Sequence, residues 1–462
     1  MTNRSAVVPF FEKSNDAATI RPHERKKIME RLGVAIIGLN GAVSSTLVAG
    51  VKLMTKGLVP RVGMLTEKEG PTAPSELTEL LQFAPLEGLV FGGWDLNDAS
   101  LYAAAQHHKV LPVHQLDQVR DELDAIKPWK AVFARSYAEN IDGEHVVAPS
   151  GYREHIEAVR GDILKFKKDN NLDRVVMVNL SSTEKWIDTE AVHETLAAFE
   201  AGLDADDPAI SPAMRYFYAA NSLGIPHVNF APSLANIPAL REQADKHGVP
   251  YTGMDGKTGQ TLVKTAMASM FRARRLQIAG WYSINFLGNN DGLVLDAPAS
   301  NKTKIMSKAS VLDSIVGHKV ENHQVHIHYY KPRGDAKEAW DNIDIVGFGG
   351  VPMQMKINFL CQDSILAAPL VVDLVRLLDV AHQKGAKGIQ HQLSIFFKSP
   401  YHEVGAQPEH DLFKQENMLL EWARGAAGSH ATSVRVAAGN GNGNGKAKVT
   451  QHEPERPAQR IA

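Results

Sequence analysis

Unbroken apolar runs, rather than alternating ones, mark the first half of the chain. Leu32-Gly-Val-Ala-Ile-Ile-Gly leads, and Arg61-Val-Gly-Met-Leu-Thr, Gly88-Leu-Val-Phe-Gly, Arg174-Val-Val-Met-Val-Asn and His227-Val-Asn-Phe-Ala follow. A strand covered on both faces has no solvent side to keep polar, so such runs predict buried parallel strands. Helical spacing fills the intervals at 99–107, 192–201 and 214–222, and a glycine turn after the first run opens a helix from about Ser44. Strands alternating with helices predict an α/β fold built on a doubly wound parallel sheet.

The texture changes after about residue 265. Residues 264–275 read as a helix, whereas 324–330 and Val351-Pro-Met-Gln-Met-Lys-Ile-Asn-Phe-Leu alternate, which predicts antiparallel strands. Helical spacing resumes from Asp363 through residue 382. The pattern predicts a Rossmann-like, nucleotide-binding domain interrupted by an α+β insertion, with the chain returning to the first domain near its end. The divisions fall at 1–30 (a polar leader), 31–265 (the first part of that domain), 266–361 (the insertion), 362–425 (the return) and 426–462. The last segment contains Gly439-Asn-Gly-Asn-Gly-Asn-Gly, too poor in apolar groups to offset its ordering entropy, and is expected to be disordered.

Composition narrows the function. A chain of 462 residues exceeds one ordinary core, which agrees with two domains or a large insertion. Its net charge of −2 shows no basic excess for nucleic acid, so any anion site must be made locally. The apolar stretches are too short to span a bilayer, and the first sixteen residues lack a signal-peptide pattern. Cys361 is the only cysteine, which rules out an internal disulfide or a cysteine-cluster zinc site and reads as a buried structural thiol. These features describe a cytoplasmic protein with neither a nucleic-acid nor a membrane partner.

The densest chemistry lies at 255–313. It holds Asp255-Gly-Lys257-Thr258-Gly-Gln260-Thr, Asn285-Phe-Leu-Gly-Asn289-Asn290-Asp291-Gly and Lys302-Thr-Lys304-Ile-Met-Ser-Lys308. Amides and carboxylates can bind hydroxyls through paired donors and acceptors, and ammonium groups suit phosphate and developing oxyanions. Taken alone, the segment fits either a polyol-phosphate site or a solvated basic surface. Gly256-Lys257-Thr258 has the ending of a phosphate loop, but Tyr251 occupies the required first glycine. His326 and His328 share one face of a predicted strand, a pair more often structural than metal-binding without a third ligand. At the first strand, Gly38-Leu-Asn40-Gly41-Ala-Val-Ser44 sits where a pyrophosphate would meet a helix N-terminus. Asn40 and Val43 replace two fingerprint glycines, so this loop taken alone reads as a generic tight turn sooner than as a dinucleotide loop.

Several blocks, in order, give the chain a family likeness. They are Gly93-Trp-Asp95-Leu-Asn-Asp-Ala-Ser-Leu-Tyr, 255–261, 287–292, Ser307-Lys308, Lys331-Pro-Arg-Gly-Asp335-Ala-Lys337, Asp363-Ser364-Ile-Leu-Ala-Ala-Pro369 and Lys398-Ser-Pro400. Together they make the chain resemble the myo-inositol-phosphate synthases over roughly 33–425. The resemblance implies an NAD-dependent cyclase acting on a sugar phosphate, glucose 6-phosphate, and a homotetramer assembled through the sheet of the insertion. It implies cofactor contacts from Gly38, Asn40, Gly41, Ser44, Asp95, Ser181, Thr183, Asp291 and Asp363. Asp95 and Asp363 would equally serve as helix caps. It also implies catalytic roles for Lys304, Lys308, Lys337, Lys398 and Asp255, with Lys304 moving a proton at the C5 oxygen. Thr258, Gln260, Asn285 and Asn289 would orient hydroxyls, and Asp335 would pair with a lysine of the site. A divalent or monovalent cation is compatible with the resemblance, with no ligands assigned.

The chain departs from the family pattern at Asn40, at Ser44, at Thr258 in place of serine and at Phe286 in place of histidine. Glu67 or Glu69, after the presumed second strand, could meet a ribose hydroxyl. Rival readings are a related carbocyclase with a reshaped pocket, a simple dehydrogenase that releases NADH, and an NAD-binding protein without catalysis.

Overall fold

The computed structural model describes residues 29–70, 73–148, 151–288 and 311–437. In chain order its main elements begin with β1 (Leu32–Ile37), α1 (Ala42–Thr55), β2 (Leu89–Asp95), α2 (Leu101–His108), β3 (Trp129–Lys130), α3 (Tyr152–Asp169) and β4 (Arg174–Asn179). They continue through α4 (Leu196–Asp204), α5 (Pro212–Ser222), β5 (His227–Asn229), α6 (Pro238–His247), β6 (Pro250–Gly253) and α7 (Gly259–Ala273). Next come β7 (Gln277–Leu287), α8 (Val311–Val316), β8 (Asn322–Tyr329), β9 (Ala336–Val346) and β10 (Pro352–Gln362). The chain closes with α9 (Asp363–Gln383), β11 (Gly388–Ile389) and α10 (Leu412–Ala437).

Seven strands form one parallel sheet in the order β11-β6-β5-β4-β1-β2-β3. The unbroken apolar run of β1 follows from its position. Leu32, Val34 and Ile36 pack on the face covered by α1 and α9, while Ala35 and Ile37 pack on the face covered by α3 and α5. This is a Rossmann-like arrangement, and the strand order reverses between β1 and β4. At that point the loops after the two strands diverge and leave a crevice. The second sheet has the order β10-β9-β7-β8 and buries one face only, where Trp281, Ile343 and Ile345 meet Ala268 and Phe271 of α7 and Leu312 and Ile315 of α8.

Four local readings are corrected. The run at 61–66 is a loop, not a strand: Gly63 has a φ of +88°, and the amides of Leu65 and Thr66 donate to the Asp373 carboxylate at 2.8 and 2.9 Å instead of to a neighbouring strand. Glu67 beyond it pairs with Arg61 and Arg376 rather than standing at a ribose site. Strand β8, whose alternation predicts an antiparallel neighbour, runs parallel to β7, because the connection carries α8 across before the chain re-enters the sheet. Helix α10 continues to Ala437, past the expected boundary at 425, whereas the Gly-Asn repeat and the leader 1–28 lie outside the described residues.

Gly93 in β2 lies beside Ile36 of β1, and a Cβ there would sit 2.0 Å from the Ile36 carbonyl oxygen. Backbone has to move to admit it. Gly93→Ala is expected to destabilise the fold by roughly 1–3 kcal/mol, read as a lower thermal midpoint; an unchanged midpoint would show that β1 and β2 can separate freely.

Candidate active site

The crevice is shaped first by the turn after β1. Gly38 adopts φ +85°, and a side chain there would press against the Leu180 carbonyl at 3.0 Å. Asn40, two residues on in a fingerprint-glycine position, does not adopt positive φ. Its side-chain amide instead donates to the carbonyls of Asn97 and Ala99 at 3.0 and 2.9 Å, and its backbone amide donates to Asp95 at 2.8 Å. The altered residue thus fastens the turn to the loop after β2. Gly41 is the N-cap of α1 and offers no side chain to the amides of the first turn. Ser44 is buried, and its hydroxyl donates to the Gly38 carbonyl at 2.6 Å, bracing the turn from behind.

Asp95 is not the cap of α2; Ser100 is, accepting from the Ala103 amide at 3.3 Å. Burial pushes the Asp95 carboxyl up in pKa, and the amides of Asn40 and Asn97 pull it back toward the ionised form. Asp95, Asn40 and Gly41 line a cavity of about 380 Å³ that extends to Tyr137 and Ser181. The Ser181 hydroxyl donates to Asn179, whereas the buried Thr183 hydroxyl has no partner among the described residues. The glycine cradle, the cap without a side chain and the unpartnered hydroxyl fit a dinucleotide. His108, which sequence reasoning missed, donates from Nε2 to the Asn40 carbonyl at 2.8 Å, and burial lowers its pKa.

A second cavity of about 170 Å³ opens from the first and shares Gly41, His108, Leu180, Ser181 and Ser182 with it. It gathers Asp255, Thr258, Lys337, Asp363 and Lys398, residues 143 positions apart at the extreme. A backbone clasp brings the first and last of these together. Met254 and Ser399 exchange hydrogen bonds, the Lys257 amide donates to Phe396, and the Lys398 amide donates to Asp255. Across the clasp Lys398 Nζ meets Asp255 Oδ1 at 2.6 Å, both side chains being buried. Asp255 holds φ +60° to reach this position, a left-handed conformation that costs roughly 1–2 kcal/mol outside glycine. Lys337, on the inner face of β9, meets Asp363 Oδ2 at 2.9 Å, and the Thr258 hydroxyl donates to Asp363 Oδ1 at 2.9 Å. Asp363 begins α9 and is coupled to the second sheet in this way, while Asp335 accepts from the Ser364 amide and hydroxyl. The site therefore presents two buried ammonium groups, each fixed by a carboxylate, beside the crevice.

Gln260 and Asn285 lie deeper. Asn285 Nδ2 donates to Gln260 Oε1 at 2.6 Å, and Gln260 Nε2 donates to Asp341 Oδ2 at 3.0 Å. Nothing in the sequence singles out Asp341. Beside it, Lys264 is buried against His323 at 2.8 Å; burial lowers the lysine to about 8 and the imidazole to about 4. Phe286, adjacent to Asn285, points to the opposite face of the sheet and packs on His328 and Trp340, so its departure from the family pattern does not reshape the cavity. Asn289, Asp291, Lys304 and Lys308 lie outside the described residues. Among the described residues no three His, Cys, Asp or Glu side chains assemble into a metal site.

Comparison with known proteins bears on this geometry. The sequence model of the NAD-binding family described as myo-inositol-1-phosphate synthase matches residues 32–424. Inositol-3-phosphate synthase 1 of Bacteroides thetaiotaomicron is 43% identical over 418 residues, which cover 88% of this chain and 97% of that one. The inositol-3-phosphate synthase of Saccharomyces cerevisiae is 28% identical over 453 residues, with 86% and 85% covered. Among solved structures, inositol-3-phosphate synthase from Caenorhabditis elegans matches with a TM-score of 0.81 at 25% identity, over 86% of each chain.

Lys257 turns away from the cavity toward α10, where Nζ donates to Gln415 at 2.5 Å near Asp411. Burial lowers its pKa from the ordinary 10.5 to about 7. Between these values the unfolded chain holds a proton that the folded chain does not, so falling pH favours unfolding. Stability should climb as pH rises from about 7 to 10, by up to about 1.4 kcal/mol per unit from this group. Lys257→Met should flatten that climb in urea midpoints measured at pH 7, 8 and 9; an unchanged slope would show that another group carries it.

Proposed function

Since the chain belongs to the myo-inositol-1-phosphate synthase family, we propose that it is the NAD-dependent synthase converting D-glucose 6-phosphate to 1D-myo-inositol 3-phosphate, with Lys337 and Lys398 acting in the cavity beside the crevice. The observation that carries this reading is the meeting of both carboxylate-fixed ammonium groups with a cavity continuous with the dinucleotide crevice.

The substrate is oxidised at C5, which acidifies the C6 protons. Loss of one gives an enolate that attacks the C1 aldehyde of the open chain, and the cyclic ketone is reduced. NAD, when held in the crevice, would supply both the hydride acceptor and the hydride donor, so no net redox change would accumulate. Gly38, Asn40, Gly41, Asp95, Ser181 and Thr183 would hold the dinucleotide, with Ser44 bracing the turn. Lys398, paired with Asp255, supplies positive charge to the oxygen of the enolate or aldehyde. Lys337, held by Asp363, acts beside it. A well-placed donor to a developing oxyanion is worth about 3–4 kcal/mol of barrier. Thr258 keeps Asp363 oriented, while Asn285 meets sugar hydroxyls and Gln260 orients Asn285 from behind. By family likeness Lys304 moves the proton at the C5 oxygen, Lys308 joins the oxyanion charges, and Asn289 and Asp291 complete the site. The substrate's own phosphate takes the C6 proton.

The reading extends to assembly and setting. The outer face of the second sheet exposes Tyr282, Trp340 and Leu360, and pairing of that sheet in a homotetramer would cover them. A free cysteine agrees with a reducing cytoplasm. Among the described residues no helix is long and apolar enough to cross a membrane.

Phosphorus NMR of the protein with glucose 6-phosphate and NAD is expected to show conversion to inositol phosphate without lasting NADH absorbance. Lys398→Ala should lower kcat by about 10²–10³-fold while dinucleotide binding persists. Unchanged glucose 6-phosphate in the presence of bound NAD would overturn the substrate, and lasting NADH would favour a simple dehydrogenase.

A further inference from the structure

Asp341 lies on the inner face of β9, four residues beyond Lys337, and is buried. Its Oδ1 accepts from Trp281 Nε1 at 2.7 Å and Ser283 Oγ at 2.6 Å, and its Oδ2 accepts from Gln260 Nε2 at 3.0 Å. A carboxylate only accepts hydrogen bonds. Gln260 must therefore turn its NH₂ end toward Asp341, which leaves its oxygen facing Asn285. That oxygen can be satisfied only by the NH₂ end of Asn285, which donates to it at 2.6 Å. The Asn285 oxygen is left over. It is buried and has no hydrogen-bond partner among the described residues.

An amide is nearly symmetric in shape, so packing alone does not choose which end faces which neighbour. Here a charge two side chains away makes the choice. We propose that Asp341 is a positioning residue that fixes, through Gln260, the Asn285 side chain with its oxygen toward the substrate, where it accepts from a sugar hydroxyl. This rests on the reading above in which Asn285 meets the sugar phosphate. It adds that the contact has a definite polarity, a hydroxyl donating to an amide oxygen, and that a residue out of reach of the substrate sets it.

The test inverts the relay and then restores it. In Asp341→Asn the new oxygen keeps Trp281 and Ser283, and the new NH₂ faces Gln260. Gln260 and Asn285 then reverse in turn, and an NH₂ meets the substrate hydroxyl. The expected result is a 10- to 100-fold loss of kcat/KM, carried mainly by KM, with dinucleotide affinity unchanged. Adding Gln260→Glu returns an acceptor-only side chain to the relay and keeps one carboxylate beside Lys264. D341N/Q260E should recover most of the loss, which a merely structural role for Asp341 does not predict. If D341N fails to fold, the double variant alone decides, because its hydrogen bonds are all restored. A folded single variant with wild-type kcat/KM overturns the proposal, as does a double variant that is unfolded or no better than the single. Wild-type protein that leaves glucose 6-phosphate unchanged would instead overturn the underlying reading, separately from the relay.

Discussion

A lysine amine taken out of water, charged or neutral, has to be met by a polar partner, and the interior of this protein is organised around that requirement. Lys257, Lys264, Lys337 and Lys398 are all buried. An unmet buried charge costs several kcal/mol, more than most single contacts return. Each lysine is answered from another part of the chain: Lys398 by Asp255, Lys337 by Asp363, Lys257 by Gln415 and Lys264 by His323. These pairs join the edge of the seven-stranded sheet, the second sheet and the C-terminal helix. In the proposed site, the positive charge offered to a sugar phosphate comes from contacts that also hold the parts of the molecule together.

The sheet was legible because burial on both faces leaves an unmistakable mark on strands such as β1 and β4. It misled at 61–66, where an apolar composition is equally compatible with a loop if a buried carboxylate satisfies the amides, and Asp373 lies more than 300 residues away. The direction of β8 was hidden for a related reason. Alternation reports which face is covered, and parallel and antiparallel neighbours can cover a face alike. Short strands such as β3 and β11, two residues each, leave no periodicity to detect.

The site was legible in its residue types more than in its connections. Lys337, read without its family likeness, looks like a surface lysine; only the meeting of β9 with the start of α9 buries it against Asp363. Period-two alternation separates Asn285 from Phe286, and with the strand recognised it assigns them to opposite faces. Asn40 shows the limit of motif spelling. Its fitness in a glycine position comes from carbonyls of another loop, at Asn97 and Ala99, rather than from its own backbone freedom. Asp341 carried no signal in the sequence because its importance lies in the amides it turns, which belong to two other elements.

The clasp between 254–257 and 396–399 also has a meaning in time. A ribosome makes the chain from its N-terminus at about 5–20 residues per second, so Lys398 follows Asp255 by about 7–30 s. The seven-stranded sheet can begin to pair long before then, yet β11 and α9 arrive only near the end. Throughout that interval Asp255 awaits the Lys398 amide and ammonium that meet it in the finished molecule. The proposed catalytic centre is thus among the last parts of the nascent molecule to exist, completed by the C-terminal stretch that the first half of the protein has been waiting to receive.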